Sequence, residues 1–565
     1  MNERQDQKPV GQKLIGWLIG IAAALRLLPL ARLHPIVWDE VEFYRATDFV
    51  SRGLVPYRDF WEHHTPLQWF LFAPIAMLVK SPGVSTILIM RWAQLPLWIL
   101  TFVLLWKWMR GEGFSATSTA LSMLFAVCST QFALGAIEYR VDALGCTLFM
   151  AGLLLLQRGR GYWAGAMFCL AGFANIRLGP LLVLTILLSR LRWRAIAGAA
   201  VALAACVSYF LVTHSAVLAW RDNWTDNYIA DRIQTGPPGA FFYRFTNVFG
   251  FLTRGFDPGA IDVGSIVVML AAACGMIWIL ATRWRRRDTL FVLAVLEIAN
   301  LAFIAKMKFI YHYHFLIVTL MALPFVALVF DWLLARGHRA VIAAVVAASV
   351  AVSAFASVFR GKEDELAYQD FFMHEVDRIV PPHGRVFGGV GYAIRKEPAY
   401  RYWFLPNIVQ VLEARGRFER YDITANPPDA VILDIPTRLW FTNRPAQAAF
   451  VRRHYLPTLP ELWVPGMSAQ LTREHPSAQW IVPADGTYIV HAPLPLRVTI
   501  DGVMQPPSAR LALRKRQRLE FAADVTQPVT VIVIPAGGPP LFRRPPPGLT
   551  LDANAPPRTH WPRLW

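Results

Sequence analysis

Charge is what this chain has least of. Only 17% of its 565 residues are Asp, Glu, Lys or Arg, against about 25% in an ordinary soluble protein. Cysteine is scarcer still: Cys128, Cys146, Cys169, Cys206 and Cys274 all fall inside apolar runs. None sits at metal-ligand spacing and none lies in the last third, which excludes a disulfide framework there and a cysteine-rich metal site. No internal repeat is visible, which argues against the doubled architecture common among transporters. Acids are outnumbered, 38 against 56 Lys and Arg, for a net charge of +18. That surplus does not point to nucleic acid, because it falls in short clusters between apolar runs: Arg158 and Arg160; Arg190, Arg192 and Arg194; Arg283, Arg285, Arg286 and Arg287; Arg336 and Arg339. Basic residues retained in short loops are the positive-inside pattern of membrane proteins.

What is plentiful is apolar sequence, 55% of the chain, with a mean hydropathy of +0.37. It is gathered in runs of roughly 18 to 22 residues, long enough to cross a bilayer. The first run is 14–33 and the last 340–358. No small-residue cleavage site follows the first, so it reads as a retained anchor. With the N-terminus inside and every basic cluster on the same side, the count reaches about 11 spans. Two long segments, 34–82 and 214–262, then lie outside. The expected fold class is a polytopic α-helical membrane protein of about 11 to 13 transmembrane helices. The expected location is the cytoplasmic (inner) membrane, with an extracytoplasmic C-terminal α/β plus β-rich domain.

The division expected is a transmembrane domain over 1–360, an α/β region over 361–470, a β-rich module over 471–540 and a Pro-rich tail over 541–565. Residues 361–380 read as an amphipathic helix stopped by Pro381-Pro382. Residues 385–389 and 430–434 read as strands. From Ser477 onward short β-rich runs at 488–491, 497–500 and 529–534 alternate with turn signals such as Asp501-Gly502. That pattern fits a small β-sandwich or barrel-like module.

In so apolar a chain, clustered ionisable residues stand out. Directly after the first span comes Trp38-Asp39-Glu40-Val41-Glu42-Phe43-Tyr44-Arg45. One reading is an interfacial amphipathic helix with solvated charges. The other is that Asp39 is a general base, because a carboxylate beside a low-dielectric surface can have its pKa raised into a useful range. The same segment continues as Tyr57-Arg58-Asp59-Phe60-Trp61-Glu62-His63-His64-Thr65-Pro66-Leu67. There Glu62, His63 and His64 could orient a substrate; Glu62 and His63 are the candidate ligands for a divalent cation, though adjacent histidines alone do not establish a metal site. Glu138-Tyr139-Arg140-Val141-Asp142 stands at the mouth of a span, where charges are costly unless paired or used. Pairing of Arg140 with Asp142 or Glu138 could simply anchor the helix. Asn175 and Arg177 could face the same cavity. Last comes Lys306-Met307-Lys308-Phe309-Ile310-Tyr311-His312-Tyr313-His314. Two lysines among aromatics on the outer side suit a lipid-linked phosphate.

On these residues the sequence resembles the membrane glycosyltransferases with the C-type fold (GT-C), most of all the branch of protein O-mannosyltransferases and lipid A aminoarabinose transferases. The matching features are Asp39-Glu40 after the first span, the 57–67 segment, Arg140-x-Asp142 and the aromatic–His run, and the resemblance covers about residues 10 to 335. It implies Asp39 as catalytic base beside Glu40, with further carboxylates at Glu62 and Asp142. It implies that Arg45, Arg58, Lys306 and Lys308 hold the carrier phosphate. His63, Arg140 and His312 complete the expected binding set, with His64 standing where many relatives have Lys. The function expected is transfer of a sugar from a polyprenyl-phosphate donor to an extracytoplasmic lipid, glycan or protein. It would be inverting, and metal-independent or weakly assisted by a divalent cation. Partners are the donor, the acceptor and the bilayer, with no nucleic acid. Two rivals stay open: a lipid-linked glycan polymerase or ligase, which would use arginines such as Arg221 and Arg232 in the second long loop, and a lipid-linked sugar flippase.

Overall fold

A computed structural model describes residues 9–233, 263–285, 288–307, 312–359, 363–405, 407–506 and 510–536. The chain divides into two compact units. The first comprises Met1–His34, Ala46–Val79 and Ile87–Glu363; the second comprises Pro35–Arg45, Lys80–Thr86 and Asp364–Trp565.

The first unit is helical. Its elements, in chain order, are α1 (Pro9–Leu33), the end of α2 (Trp38–Ser51), α3 (Leu67–Leu78), α4 (Ser85–Gly111), α5 (Ala116–Cys128), α6 (Thr130–Ile137), α7 (Asp142–Gln157), α8 (Gly161–Ala174), α9 (Gly179–Leu188) and α10 (Arg192–Val212). There follow α11 (Ala216–Trp220), α12 (Asp226–Ile233), α13 (Val263–Arg283), α14 (Thr289–Lys306), α15 (Phe315–Ala335) and α16 (Arg339–Phe359). Among the described residues, five helices are long and apolar enough to cross a bilayer: α4, α10, α13, α14 and α15 with the turn before it. The helices α1 and α2 pass that test together, bent by 80° between Leu33 and Trp38, and six shorter apolar helices of 10–17 residues accompany them.

The breaks have local causes. The expected span over 116–135 is interrupted at Ser129, which is extended (φ −70°, ψ 126°) between α5 and α6, and its hydroxyl bonds Ser265 Oγ on α13 at 2.6 Å. Between α11 and α12 the backbone widens into one π-helical turn, Arg221–Thr225. The bend after α1 is held from α4, where Arg91, fully buried, donates to the carbonyls of Ala31 (3.0 Å) and His34 (2.8 Å). A guanidinium on the last carbonyls of a helix satisfies orphan acceptors and complements the helix dipole. Arg26, also buried, ties α1 to Thr130 Oγ1 (2.9 Å) and to the Ser353 carbonyl.

The second unit is α/β and β. After a helix α17 (Glu363–Ile379) come β1 (Arg385–Phe387), β2 (Glu397–Pro398), β3 (Ala430–Ile432), β4 (Tyr455–Pro457) and β5 (Leu462–Pro465). They form one mixed sheet in the order β2-β1-β3-β5-β4. The strands β6 (Met467–Leu471), β7 (Ser477–Ile481), β8 (Gly486–His491), β9 (Arg497–Ile500), β10 (Val503–Met504), β11 (Arg510–Leu513), β12 (Arg518–Ala522) and β13 (Val529–Pro535) build two four-stranded antiparallel sheets. Leu471, Tyr488, Leu511 and Val533 of one sheet share a core with Trp480, Val498, Leu519 and Phe521 of the other, so the module is a sandwich. The Asp501-Gly502 turn joins β9 to β10, both residues at positive φ (50° and 81°), as a two-residue hairpin requires. The Pro-rich tail lies outside the described residues.

Helices α8 and α10 approach closely enough to need glycine. A Cβ on Gly165 would fall 1.8 Å from the Ala195 carbonyl oxygen, and one on Gly198 1.8 Å from that of Tyr162. At Gly172 on the same helix the nearest atom is Leu182 Cδ1 at 3.3 Å. Small residues at such crossings permit the backbone contact that packs helices in a bilayer. Gly165→Val is therefore expected to destabilise the fold by roughly 1–3 kcal/mol or more, read as a lower unfolding midpoint of the purified protein, whereas Gly172→Ala should change it little.

Candidate active site

The second unit holds the first acidic cluster. Val37 and Glu40 form the start of a capping box: Glu40 Oε2 accepts the Val37 N–H at 3.2 Å. Ile36 is fixed by two hydrogen bonds with Gln369 of α17, from its N–H at 2.8 Å and to its carbonyl at 2.9 Å. Asp39 and Glu40 occupy the first turn of α2, where the helix dipole favours negative charge. Glu40 and Glu42 are buried, while Asp39 is half-buried. Arg45 is also buried; its guanidinium donates to the carbonyls of Gly391 (3.2 Å) and Lys396 (2.7 Å) and lies 5.4 Å from the Trp403 ring. The structure thus places Arg45 as a strut for the 391–396 segment.

In the first unit, residues 57–66 fold into a tight turn. Tyr57 is buried with φ 67°, an outlier for a bulky residue, and its hydroxyl donates to the His64 carbonyl at 2.6 Å. From the other side Asn227 Nδ2 of α12 donates to the His63 carbonyl at 3.2 Å. Glu62 Oε1 accepts the N–H groups of His63 (2.8 Å) and His64 (3.2 Å) and contacts His64 Nδ1 at 3.0 Å. Burial alone would raise the Glu62 carboxyl, but the hydrogen bonds to the two histidines outweigh it and hold it down to about 2. Burial, and then the proximity of His63, push the His64 imidazole down to about 3. The pair is therefore an ionised carboxylate beside a neutral imidazole at ordinary pH. The donor atoms of Glu62, His63 and His64 lie within 4.8 Å of one another, and Glu62 Oε2 is buried without a hydrogen-bond partner among the described residues. Arg58 is exposed and forms a forked pair with Asp59, at 2.8 and 2.9 Å.

The second site of the first unit grows from the α6–α7 turn. Gln94 of α4 closes it, donating its amide to the Ala136, Ile137 and Glu138 carbonyls and accepting the Arg140 N–H at 3.2 Å. Arg140, 1% exposed, pairs with Asp142 Oδ2 at 3.1 Å and Glu138 Oε2 at 3.8 Å. Its guanidinium carbon lies 3.3 Å from the Tyr313 ring centroid. Asp142 Oδ1 accepts from Asn175 at 2.8 Å, and Glu138 Oε1 meets His312 Nε2 at 3.0 Å and His34 Nε2 at 3.9 Å. Burial would raise Glu138; the charge and hydrogen bond of His312, followed by Arg140 and His34, prevail and lower it. Arg177 reaches the same Tyr313 ring at 5.1 Å and lies close enough to His64 to oppose its protonation. A cavity of about 30 Å³ opens beside this network, lined by Asp142, Asn175, Arg177, Asn300, Met307 and Tyr313 among others.

The expected residues of this unit thus come together in part: Arg140, Asp142 and His312 share one network, with Arg177 linking it to His64. Lys306 is exposed at the end of α14, with no ion-pair partner among the described residues, and its neighbour Met307 lines the cavity. Lys308 lies outside the described residues. Glu138, Asn300 and Tyr313 are additions: Glu138 is visible in the sequence only as half of a helix-anchoring pair, and nothing in the apolar run of α14 marks Asn300 as facing a cavity.

Helical packing, apolar spans and a C-terminal β-rich region define a membrane protein with the fold of the C-type glycosyltransferases. ArnT from Cupriavidus metallidurans, solved bound to undecaprenyl phosphate, is similar with a TM-score of 0.51 at 12% identity, over 91% of this chain and 99% of that one. The oligosaccharyltransferase of Archaeoglobus fulgidus in its apo form gives 0.44 at 12% identity, over 69% of this chain and 64% of that one. The same archaeal enzyme in complex with an inhibitory peptide and a dolichol-phosphate gives 0.44 at 13% identity over the same shares. By sequence, residues 63–306 match the model of Glycosyltransferase family 87, and a search of curated proteins returns no match. The fold is thus that of the C-type membrane glycosyltransferases, and the family match covers residues 63–306 of the chain.

Two outcomes follow from the Arg140 network. Arg140→Ala strands two buried carboxylates and should cost about 3–5 kcal/mol of stability, measured as a fall in unfolding midpoint that Asp142→Asn in the same chain partly restores. Glu138 is depressed in the folded state, so its contribution is present above the unfolded carboxylate pKa and lost as pH falls through the folded one. Stability should therefore decline on acidification below pH of about 4, and Glu138→Gln should flatten that decline in a pH series of midpoints.

Proposed function

We propose that the protein transfers one sugar from a polyprenyl-phosphate carrier to a lipid, glycan or protein acceptor outside the cytoplasm, with inversion. The observation that carries this reading is the acid–cation–aromatic network around Arg140, beside an exposed Lys306 that pairs with no acid among the described residues. A cation that pairs with no acid among the described residues, at a span end, suits a departing lipid phosphate, whose growing charge needs compensation. The undecaprenyl phosphate bound to the Cupriavidus protein supports the donor class by analogy of fold. The transfer chemistry is assigned to the helical part, residues 1–360.

Asp39 is the proposed general base: of the acids opening α2 it is the one left half-exposed, whereas Glu40 caps the helix and Glu42 is buried. It would take the proton from the acceptor hydroxyl as that oxygen attacks the anomeric carbon and the carbon–phosphate oxygen bond breaks. Lys306 and Lys308 would neutralise the phosphate, and Arg140 with His312 would keep Asp142 and Glu138 ionised. Glu62, His63 and His64 fit a divalent cation, since a carboxylate with a free oxygen and a neutral imidazole are in their ligating forms. Such an ion would supply electrostatic stabilisation of a phosphate. The orientation proposed for the chain has its N-terminus inside and its C-terminal domain, from residue 361 onward, outside the inner membrane.

The test is turnover of purified protein in lipid, given polyprenyl-phosphate sugars and followed by donor consumption. Asp39→Asn should lower turnover by at least about a hundredfold while donor binding persists; undiminished turnover would remove Asp39 as the base. Lys306→Ala combined with Lys308→Ala should weaken donor binding by about tenfold or more, and unchanged affinity would exclude both from the phosphate site. Chelation should slow wild type more than Glu62→Gln if the cation is bound there.

A further inference from the structure

In α11 and α12 the usual arrangement of a surface helix is reversed. With the π-helical turn between them they make one continuous helical stretch, residues 216–233. Val217, Trp220, Trp224 and Tyr228 recur along it every three or four residues and are 81%, 64%, 53% and 59% exposed. Residues at that spacing share one helix face, so the four form a stripe. The residues turned inward are Ala219, Asp222, Asn223, Asp226 and Ala230, all buried. Their polar groups are answered within the protein. Asn223 Nδ2 donates to the Ala219 carbonyl at 3.0 Å, and Arg221 pairs with Asp222 at 2.8 Å and Asp226 at 3.6 Å. A helix whose open side meets water carries the opposite pattern, with charges outward and apolar residues inward.

The place of this helix in the chain says what its open side meets. The preceding helix α10 is apolar and 21 residues long, so it covers about 30 Å, the thickness of a bilayer's hydrocarbon core. It ends abruptly. His214 is left-handed (φ 55°), the Ser215 N–H donates to the Phe210 carbonyl at 2.9 Å, and the His214 N–H donates to that of Leu211 at 3.1 Å. Those two bonds make a Schellman stop. Only Thr213, His214 and Ser215 separate α10 from α11, and even fully extended they would reach roughly 10 Å. The stripe therefore begins in or beside the headgroup layer, which is roughly 5–8 Å deep on each side. It also prolongs a lipid-facing surface, since Leu211 and Val212 at the end of α10 are exposed.

Exposed aromatic rings suit either a sugar or the lipid interface. A sugar needs donors and acceptors beside the ring on which it stacks. Here Val217 is the neighbour on the stripe, the acids and Asn223 point inward, and Trp220 and Trp224 stack on each other at 5.8 Å. An interface selects Trp and Tyr, because each offers an apolar body and one polar tip. Arg232, exposed one turn beyond Tyr228, lies 4.9 Å from its ring centre, a cation beside the stripe of the kind that anionic headgroups favour.

We infer that residues 216–233 lie along the membrane surface at the C-terminal end of α10, with Val217, Trp220, Trp224 and Tyr228 seated among the lipid headgroups. The inward face then has a task. Asn227 Nδ2 donates to the Asn223 carbonyl at 2.8 Å and to the His63 carbonyl at 3.2 Å, so the embedded helix holds the 57–66 turn near the same depth. Glu62, His63 and His64 are thereby kept close to the level of a lipid-borne phosphate. The inference depends on α10 being a span and not on the transfer reaction.

The test uses the full chain in lipid nanodiscs, grown with fluorotryptophan and read by its fluorine resonances. Trp220→Phe and Trp224→Phe each delete one resonance and so assign it. Trp193, 72% exposed near the start of α10, is assigned in the same way as a reference at the other end of the span. A spin label carried on lipid headgroups should broaden all three resonances more than a gadolinium chelate dissolved in the water does. Stronger broadening of Trp220 and Trp224 by the chelate would overturn the inference and leave the stripe as a solvent-facing platform. If neither probe broadens them while Trp193 responds to the lipid label, the stripe is covered by protein, from this chain or a second copy, and the inference fails. If Trp193 does not respond to the lipid label either, α10 is no span and the inference falls with it. Tyr228, carried as fluorotyrosine in a separate preparation and assigned by Tyr228→Phe, repeats the measurement independently. The unaltered chain supplies every reading, so a folding defect in one variant costs an assignment and not the answer.

Discussion

A guanidinium almost sealed from water is the constraint around which the first unit is organised. Arg140 cannot be deprotonated and cannot reach solvent, so neighbouring elements must answer its charge. Glu138 and Asp142 do so from its own turn, Tyr313 presents its ring face, and Gln94 holds the backbone on which all three acid and base groups ride. Each answer brings an obligation of its own. Glu138 needs His312 and His34, and Asp142 needs Asn175. The α1 end, the α6–α7 turn, the α8–α9 turn and the start of α15 are thereby bound to one electrostatic centre. Replacing such a network by apolar side chains often costs a fold little, whereas removing one partner strands a buried charge.

Much of this architecture could be read from the sequence, for physical reasons that differ by element. Spans are legible because desolvation demands long apolar runs, and the hairpin at Asp501-Gly502 because only a few residues tolerate its dihedral angles. The break at Ser129 is not, since the partner that stabilises it, Ser265, is 136 residues away. The ionisable clusters at 38–45, 57–67 and 138–142 stand out against an apolar background, and the structure finds all three ordered and largely buried. Their partners were hidden. Glu138 and His312 are 174 residues apart, and Arg45 donates from two of its nitrogens to carbonyls some 350 residues further on. Local sequence shows where charge is concentrated, whereas the direction in which each charge is satisfied depends on contacts across the fold.

Histidine illustrates the same division of labour. His63 and His64 are adjacent and look equivalent, yet Trp61 stacks on His63 at 5.2 Å while His64 is enclosed and bonded to Glu62. Two backbone N–H groups on one carboxylate oxygen set the local geometry, and the second oxygen has no hydrogen bond among the described residues. The turn is tightened further by the left-handed Tyr57, whose hydroxyl secures the His64 carbonyl. Strain of this kind persists where surrounding contacts over-determine it, as Asn227 on α12 and Tyr57 do here from opposite ends.

The makeup of the second unit bears on how the protein is made. Its segment Pro35–Arg45 carries Asp39, yet Ile36 finds Gln369 only across 333 residues of chain. During synthesis the start of α2 therefore emerges long before the residues that fix it, and it must wait, unpaired in this respect, until α17 has left the ribosome. A nascent or truncated chain that ends before residue 364 would thus carry the helical unit and lack Gln369, the residue that holds Ile36 just ahead of α2.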